Sequence, residues 1–151
     1  KAKVVKAAAR IMSLSDPTSK MSKSGPDKSR INLSDDPQEA KSKILSAVTD
    51  SGKEIKQSKD KPAISNLISI YHLLSDKSVE EIEKEYQGKG YGDFKDDLGS
   101  QVAEFLSILQ DRREAVLKEE VVEKSIKAGL KSARQISTNT LNEAKEAIAV
   151  L

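Results

Sequence analysis

Asp93-Phe94-Lys95-Asp96-Asp97-Leu98-Gly99-Ser100-Gln101-Val102-Ala103-Glu104-Phe105-Leu106-Ser107-Ile108-Leu109, continuing through Arg112-Arg113 to Val116-Leu117-Lys118, is the stretch that decides the fold. Its apolar residues Leu98, Val102, Phe105, Leu106, Leu109, Val116 and Leu117 recur mostly three and four positions apart. That spacing gathers them on one stripe of an α-helix and leaves most of the charge on the other side. The stripe predicts a helix over 93–118 that buries Leu98 to Leu117.

The same period continues on both sides. Downstream, Ile126, Leu130, Ala133, Ile136, Thr140, Leu141, Ala144 and Ile148 predict a further helix from Glu120 to Leu151, with Gly129 as a point where it bends or divides. Upstream, Ser78 and Glu81 have the spacing of a capping box, with Val79, Ile82 and Tyr86 on one stripe and Gly88 as the stop. Pro62 starts a helix whose face is Ile64, Leu67, Ile68, Tyr71 and Leu74. Residues 49–61 are a polar loop. Asp36 as N-cap, Pro37 at the first helical position and Glu39 as box partner open a helix from 37 to about 48.

Residues 16–35 read as a loop. Asp16-Pro17 and Gly25-Pro26 disfavour helix, and Ile31 and Leu33 alternating with Asn32 hint weakly at a strand. Ile11 and Leu14 have helical spacing, in a segment too short to separate from extended chain. The expected fold is all-α: an antiparallel bundle of about five helices preceded by a lysine-rich arm. Its expected parts are 1–35 and 36–151.

Composition narrows the function classes. The chain has 151 residues, which suits one domain, with 36% apolar, 33% charged and only 3% aromatic residues. A β-sandwich or barrel wants more aromatic and β-branched side chains. There is no Cys and one His, His72, which excludes disulfides, thiolate catalysis, Cys-ligated zinc, paired-His zinc motifs and nearly any His-based triad. No apolar run approaches the roughly 20 residues of a membrane span. The start, Lys1-Ala2-Lys3-Val4-Val5, lacks Met and does not resemble a signal peptide. A cut inside a longer protein is the expectation. Net charge is uneven, +6 over 1–61 and −4 over 62–151. The basic part is the one that would meet a polyanion; a merely soluble surface is the plain alternative.

The chemistry concentrates in Thr18-Ser19-Lys20-Met21-Ser22-Lys23-Ser24-Gly25-Pro26. Two lysines three apart, flanked by hydroxyls in a Gly-containing loop, offer flexible point charges and donors suited to phosphate. On spacing alone a solvated basic loop is the plainer reading. Elsewhere the plain readings prevail. His72 is a half-exposed helix residue, 88–92 is a helix stop and corner, and Tyr71, Tyr86, Phe94 and Phe105 are core. Arg112-Arg113 face water, and the paired carboxylates at 80–81, 96–97 and 119–120 point to different helix sides, forming no metal site.

The literal string Lys20-Met21-Ser22-Lys23-Ser24, KMSKS, resembles the second signature of class I aminoacyl-tRNA synthetases. Ala9-Arg10-Ile11-Met12-Ser13-Leu14 before Asp16-Pro17-Thr18, then Ala47-Val48-Thr49-Asp50-Ser51, Ile64-Ser65-Asn66-Leu67 with Ile70-Tyr71, and Gly88-Lys89-Gly90-Tyr91-Gly92-Asp93-Phe94-Lys95 follow in order. Together these blocks resemble the bacterial and organellar tryptophanyl-tRNA synthetases across residues 7–95. Residues 96–151 agree in pattern only.

The resemblance implies roles. Lys20 and Lys23 would be catalytic, stabilising pyrophosphate as it departs, with ATP contacts from Ile11, Lys20, Met21, Ser22, Lys23 and Ser24. Ile11 and Met21 would lie at the adenine. It implies ATP with Mg2+ and tryptophan as substrates, tRNA(Trp) as partner of a helical anticodon-binding region, a homodimeric full-length enzyme, and a cytoplasmic or mitochondrial setting without membrane. Gly25-Pro26 departs from the Asp-Pro commoner in the family. The family's HIGH-like motif and its nucleotide-binding α/β domain are absent from the sequence, so the chain reads as the C-terminal portion, inactive alone. The rivals are a piece of a tyrosyl-tRNA synthetase and a stand-alone helical module that binds RNA or protein.

Overall fold

The computed structural model describes residues 10–149, which form two compact units, up to Gln110 and from Asp111 onward. The elements in order are α1 (Pro37–Ser46), α2 (Pro62–Leu74), α3 (Val79–Glu85), α4 (Tyr91–Lys118) and α5 (Val121–Ala147), with a 3-10 turn at Asp27–Ser29 before them. The all-α expectation of five helices stands.

The starts of α1, α2 and α3 have identifiable causes. The Asp36 carboxylate accepts from the backbone N–H groups of Gln38 (2.9 Å) and Glu39 (3.2 Å), and Pro37 occupies the first turn. The reciprocal half of the expected box is not among its contacts, because Glu39 leans toward Lys43 instead, at 3.9 Å. Ser78 and Glu81 form the full box: Glu81 N–H donates to Ser78 Oγ at 3.2 Å, and Ser78 N–H to Glu81 Oε2 at 2.7 Å. At α2, Lys61 offers no acceptor for the first N–H groups. Asp50 reaches in from the preceding loop and accepts from Ala63 (3.3 Å) and Ile64 (2.8 Å). At the other end of α1, the Lys95 ammonium donates to the carbonyls of Ala47 (2.6 Å) and Leu45 (3.3 Å), groups that a helix end leaves unpaired.

The core of the first unit gathers the faces that the periodicity marks. Ile44, Ile64, Leu67, Ile68, Ile82, Phe94, Leu98 and Leu106 are almost wholly buried. At its centre Phe94 stacks on Tyr71, ring centroids 5.5 Å apart, and meets Tyr86 edge-on at 5.0 Å. Tyr86 sends its hydroxyl to Asp97 Oδ2 at 2.6 Å. Burial and the adjacent carboxylate push that phenol well above its ordinary range, so it is a neutral donor. Gly99 lets α4 lie against Lys41 of α1; a Cβ there would come within 2.9 Å of Lys41 Cγ.

Several local expectations change. Helix α1 ends at Ser46, and no strand forms at 31–33, where Asn32 is drawn into side-chain hydrogen bonds. Helix α3 ends at Glu85 with Tyr86 as its cap, so Gly88, at φ 82°, stands two residues beyond. Helix α5 runs through Gly129 without interruption. The α4 stripe divides: Leu98, Val102 and Leu106 are buried, whereas Phe105, Val116 and Leu117 are exposed. Phe105 is therefore not core. Every residue described in the second unit is exposed, including Ile126, Leu130, Ile136 and Leu141 of α5.

Candidate functional site: the signature loop and its stems

Residues 11–13 pair with residues 19–21 across a turn. Met12 and Lys20 form an isolated antiparallel bridge, Met21 N–H donates to the Ile11 carbonyl at 3.1 Å, and Ser13 N–H to the Ser19 carbonyl at 2.8 Å. This pairing carries the chain into the signature. Between its arms Asp16 builds the turn, accepting from Thr18 Oγ1 (2.6 Å), Thr18 N–H (3.1 Å) and Ser19 Oγ (2.5 Å). The Ser19 hydroxyl first, then Thr18, hold this exposed carboxyl below its ordinary range.

Met21 is half-buried and packs with Ile11 against the core. Lys20, Ser22, Lys23 and Ser24 are exposed. Neither lysine pairs with a carboxylate among the described residues. Gly25 N–H donates to the Ser22 carbonyl at 3.2 Å and Ser24 N–H to Ser22 Oγ at 3.3 Å, which coils the loop tightly. A Cβ at Gly25 would stand 2.9 Å from Ser29 Oγ, so any side chain there requires that hydroxyl to turn. Met21, Ser22 and Lys23 face Arg30 to Ser34 across an open cleft of about 630 Å3. The structure thus brings all six sequence-predicted residues onto one short hairpin, with the two apolar ones inward and the four polar ones outward. A larger cleft of about 730 Å3 borders 53–56 and 83–90, contains none of them, and is lined by both lysines and glutamates.

Three helices hold this hairpin and the segment that follows it through side chains that periodicity alone does not single out. Asn66 of α2, buried, reads both polar groups of Met12: it accepts from Met12 N–H and donates to its carbonyl, each at 2.9 Å. It substitutes for a neighbouring strand. Gln110 of α4 donates to the carbonyls of Leu33 (3.1 Å) and Asp35 (2.9 Å). Lys43 of α1, 6% exposed, donates to Asp35 at 2.8 Å and to Asp27 at 2.6 Å. Burial alone raises the Asp35 carboxyl, but hydrogen bonds from Lys43 and Asn32 outweigh it and leave it below the ordinary range. Burial likewise pushes Lys43 down, and its two carboxylates more than restore it. The stability held by Asp35 is therefore present above its unfolded pKa and is lost as pH falls through the lowered folded value. The sequence signal for these residues is a polar side chain on an apolar face: Asn66 between Ile64 and Leu67, Lys43 between Ala40 and Ile44.

The other sites keep plain roles. His72 is half-buried, with Nδ1 2.6 Å from the Lys77 carbonyl. Arg112 and Arg113 are exposed.

This signature and its setting define a class. The family model described as tRNA synthetases class I (W and Y) matches residues 1–107, and the chain belongs to that family. Among curated relatives, the tryptophan–tRNA ligase of Halalkalibacterium halodurans is 44% identical over 149 residues, covering 97% of this chain and 45% of the relative. That of Bacillus subtilis is 41% identical, over 98% of this chain and 46% of the relative. The crystal structure of tryptophanyl-tRNA synthetase from Mycoplasma pneumoniae superposes with a TM-score of 0.78 at 29% identity, covering 97% of this chain and 45% of that one. The chain spans about half the length of the curated relatives it matches.

Proposed function

We propose that this chain is the C-terminal portion of a tryptophan–tRNA ligase, which activates tryptophan with ATP and transfers it to tRNA(Trp). The observation that carries this is the exposed pair Lys20 and Lys23, without a carboxylate partner among the described residues, on a hairpin whose apolar members, Ile11 and Met21, turn inward. The tryptophan–tRNA ligase names of the curated relatives favour tryptophan over tyrosine.

In the proposed reaction a carboxylate oxygen of tryptophan attacks the α-phosphorus of ATP, and the bond to pyrophosphate breaks. Charge grows on the departing pyrophosphate. Lys20 and Lys23 meet it with ammonium groups, and the Ser22 and Ser24 hydroxyls donate to phosphate oxygens. Such stabilisation acts on charge that develops in the transition state, with little covalent work for the protein. Ile11 and Met21 offer an apolar surface to adenine. Among the described residues no three His, Asp or Glu side chains gather where they could hold a metal ion. In this reading Mg2+ enters with ATP, as part of the substrate.

In the same proposal residues 1–35 end the catalytic domain, and 36–151 form the helical part that meets the tRNA anticodon. The full-length protein is a homodimer of the cytoplasm, or of the mitochondrial matrix. No helix among the described residues is long and apolar enough to cross a membrane.

The chain alone is expected to give no tryptophan-dependent exchange of pyrophosphate into ATP. Its sequence contains no HIGH-like string to complete the nucleotide site. Exchange by the chain alone at a full synthetase's rate would contradict this division of labour.

A further inference from the structure

The polar groups that follow the signature form a connected chain leading from the loop into the helices. Arg30 donates through one guanidinium nitrogen to the Gly25 carbonyl, one residue beyond Ser24, and its other terminal nitrogen lies 3.2 Å from Asp27. Arg30 Nε donates to Asn32 Oδ1 at 2.9 Å. Asn32 Nδ2 donates to Asp27 at 3.2 Å and to Asp35 at 2.8 Å. Lys43 closes the network from α1, 2.6 Å from Asp27 and 2.8 Å from Asp35.

The two carboxylates are not equivalent. Asp35 is 9% exposed and sits against the buried ammonium as a fixed pair. Asp27 is 53% exposed and lies on the 3-10 turn directly after Gly25-Pro26. It is the group that joins the loop's outgoing stem to α1. The incoming stem is held differently, by neutral hydrogen bonds from Asn66 to Met12.

We propose that Asp27 and Lys43 form a latch that fixes the outgoing stem of the signature loop and so sets where Lys23 stands when the loop meets pyrophosphate. This rests on the function proposed above and adds two positioning residues to it. Neither touches substrate. Asp27 acts through Arg30 and the Gly25 carbonyl, and Lys43 anchors Asp27 to the helix whose buried face includes Ala40 and Ile44. Charge-assisted hydrogen bonds are short and directional, which suits a fixed stem.

The test uses the full-length protein that contains this chain and the variant Asp27→Asn, which keeps the shape and removes the charge of an exposed group. The latch predicts that kcat for tryptophan-dependent pyrophosphate exchange falls about 10-fold, since small misplacements of a catalytic group are costly. The KM for tryptophan should stay within about 2-fold, because substrate binding is not the step disturbed. Asp27→Glu, which keeps the charge on a longer arm, should recover most of the rate. Glu39→Gln, at the 3.9 Å edge of the same lysine, should leave the rate unchanged. An Asp27→Asn enzyme with unaltered kcat, or one that Asp27→Glu fails to rescue, would overturn the latch. Amide hydrogen exchange separates this from the function itself. Faster exchange at 21–25 in Asp27→Asn supports the latch even if the parent protein does not use tryptophan, and unchanged exchange there overturns it.

Discussion

Lys23→Ala in the full-length protein is expected to slow adenylate formation by about 10²–10³-fold while changing ground-state ATP affinity far less. The magnitude is that of removing one preorganised donor from a site of developing charge, about 2.7–4 kcal/mol. The physical reason lies in where Lys23 stands. It is exposed, has no carboxylate partner among the described residues, and occupies the far side of a hairpin whose stems are tied to helices. A lysine held in this way gains most from a polyanion when the negative charge peaks, so its contribution is differential. Single-turnover kinetics separate the two quantities. A variant with normal single-turnover rate and only a weakened ATP dissociation constant would mean that Lys23 binds the nucleotide uniformly and takes no special part in the transition state.

Phe94→Ala should destabilise the first unit by about 3–5 kcal/mol, the range for deleting a large aromatic side chain from a core. Phe94 is completely buried and touches both Tyr71 and Tyr86. Its loss opens a cavity beside the Tyr71–Tyr86 hydroxyl pair, 3.2 Å apart, and the Tyr86–Asp97 hydrogen bond. Polar groups there depend on close packing to stay aligned, so repair by collapse is limited. Denaturant unfolding of wild type and variant measures the difference. A change under about 1 kcal/mol would show that the aromatic cluster can repack. Phe105→Ala, on the exposed part of the α4 stripe, should by contrast cost little.

These two predictions mark where the sequence was readable and where it was not. Caps and stripes are local: Ser78 and Glu81 announce α3, Pro37 and Pro62 fix two first turns, and i, i+3, i+4 spacing finds Leu98, Val102 and Leu106. The signature lysines are legible because the string is specific. The groups that hold the signature in place are not, since their partners lie far along the chain. Asn66 meets Met12 across 54 residues and Gln110 meets Asp35 across 75. A period reports which residues share a face, without reporting what that face meets. For the same reason the stripe from Phe105 to Leu117 predicts burial by pattern alone, and only tertiary packing shows that it divides near Gln110. Asp50 is a further case: as part of a polar loop it reads as solvated, yet it caps α2, because Lys61 before Pro62 has no acceptor to offer.

Adenylate formation by the full-length protein, followed as pyrophosphate exchange with tryptophan and, separately, with tyrosine, tests the central claim most directly. The hairpin, its exposed lysines and the relatives' names together predict rapid exchange with tryptophan and ATP and little with tyrosine. Exchange driven by tyrosine alone, or none with either amino acid, would contradict it.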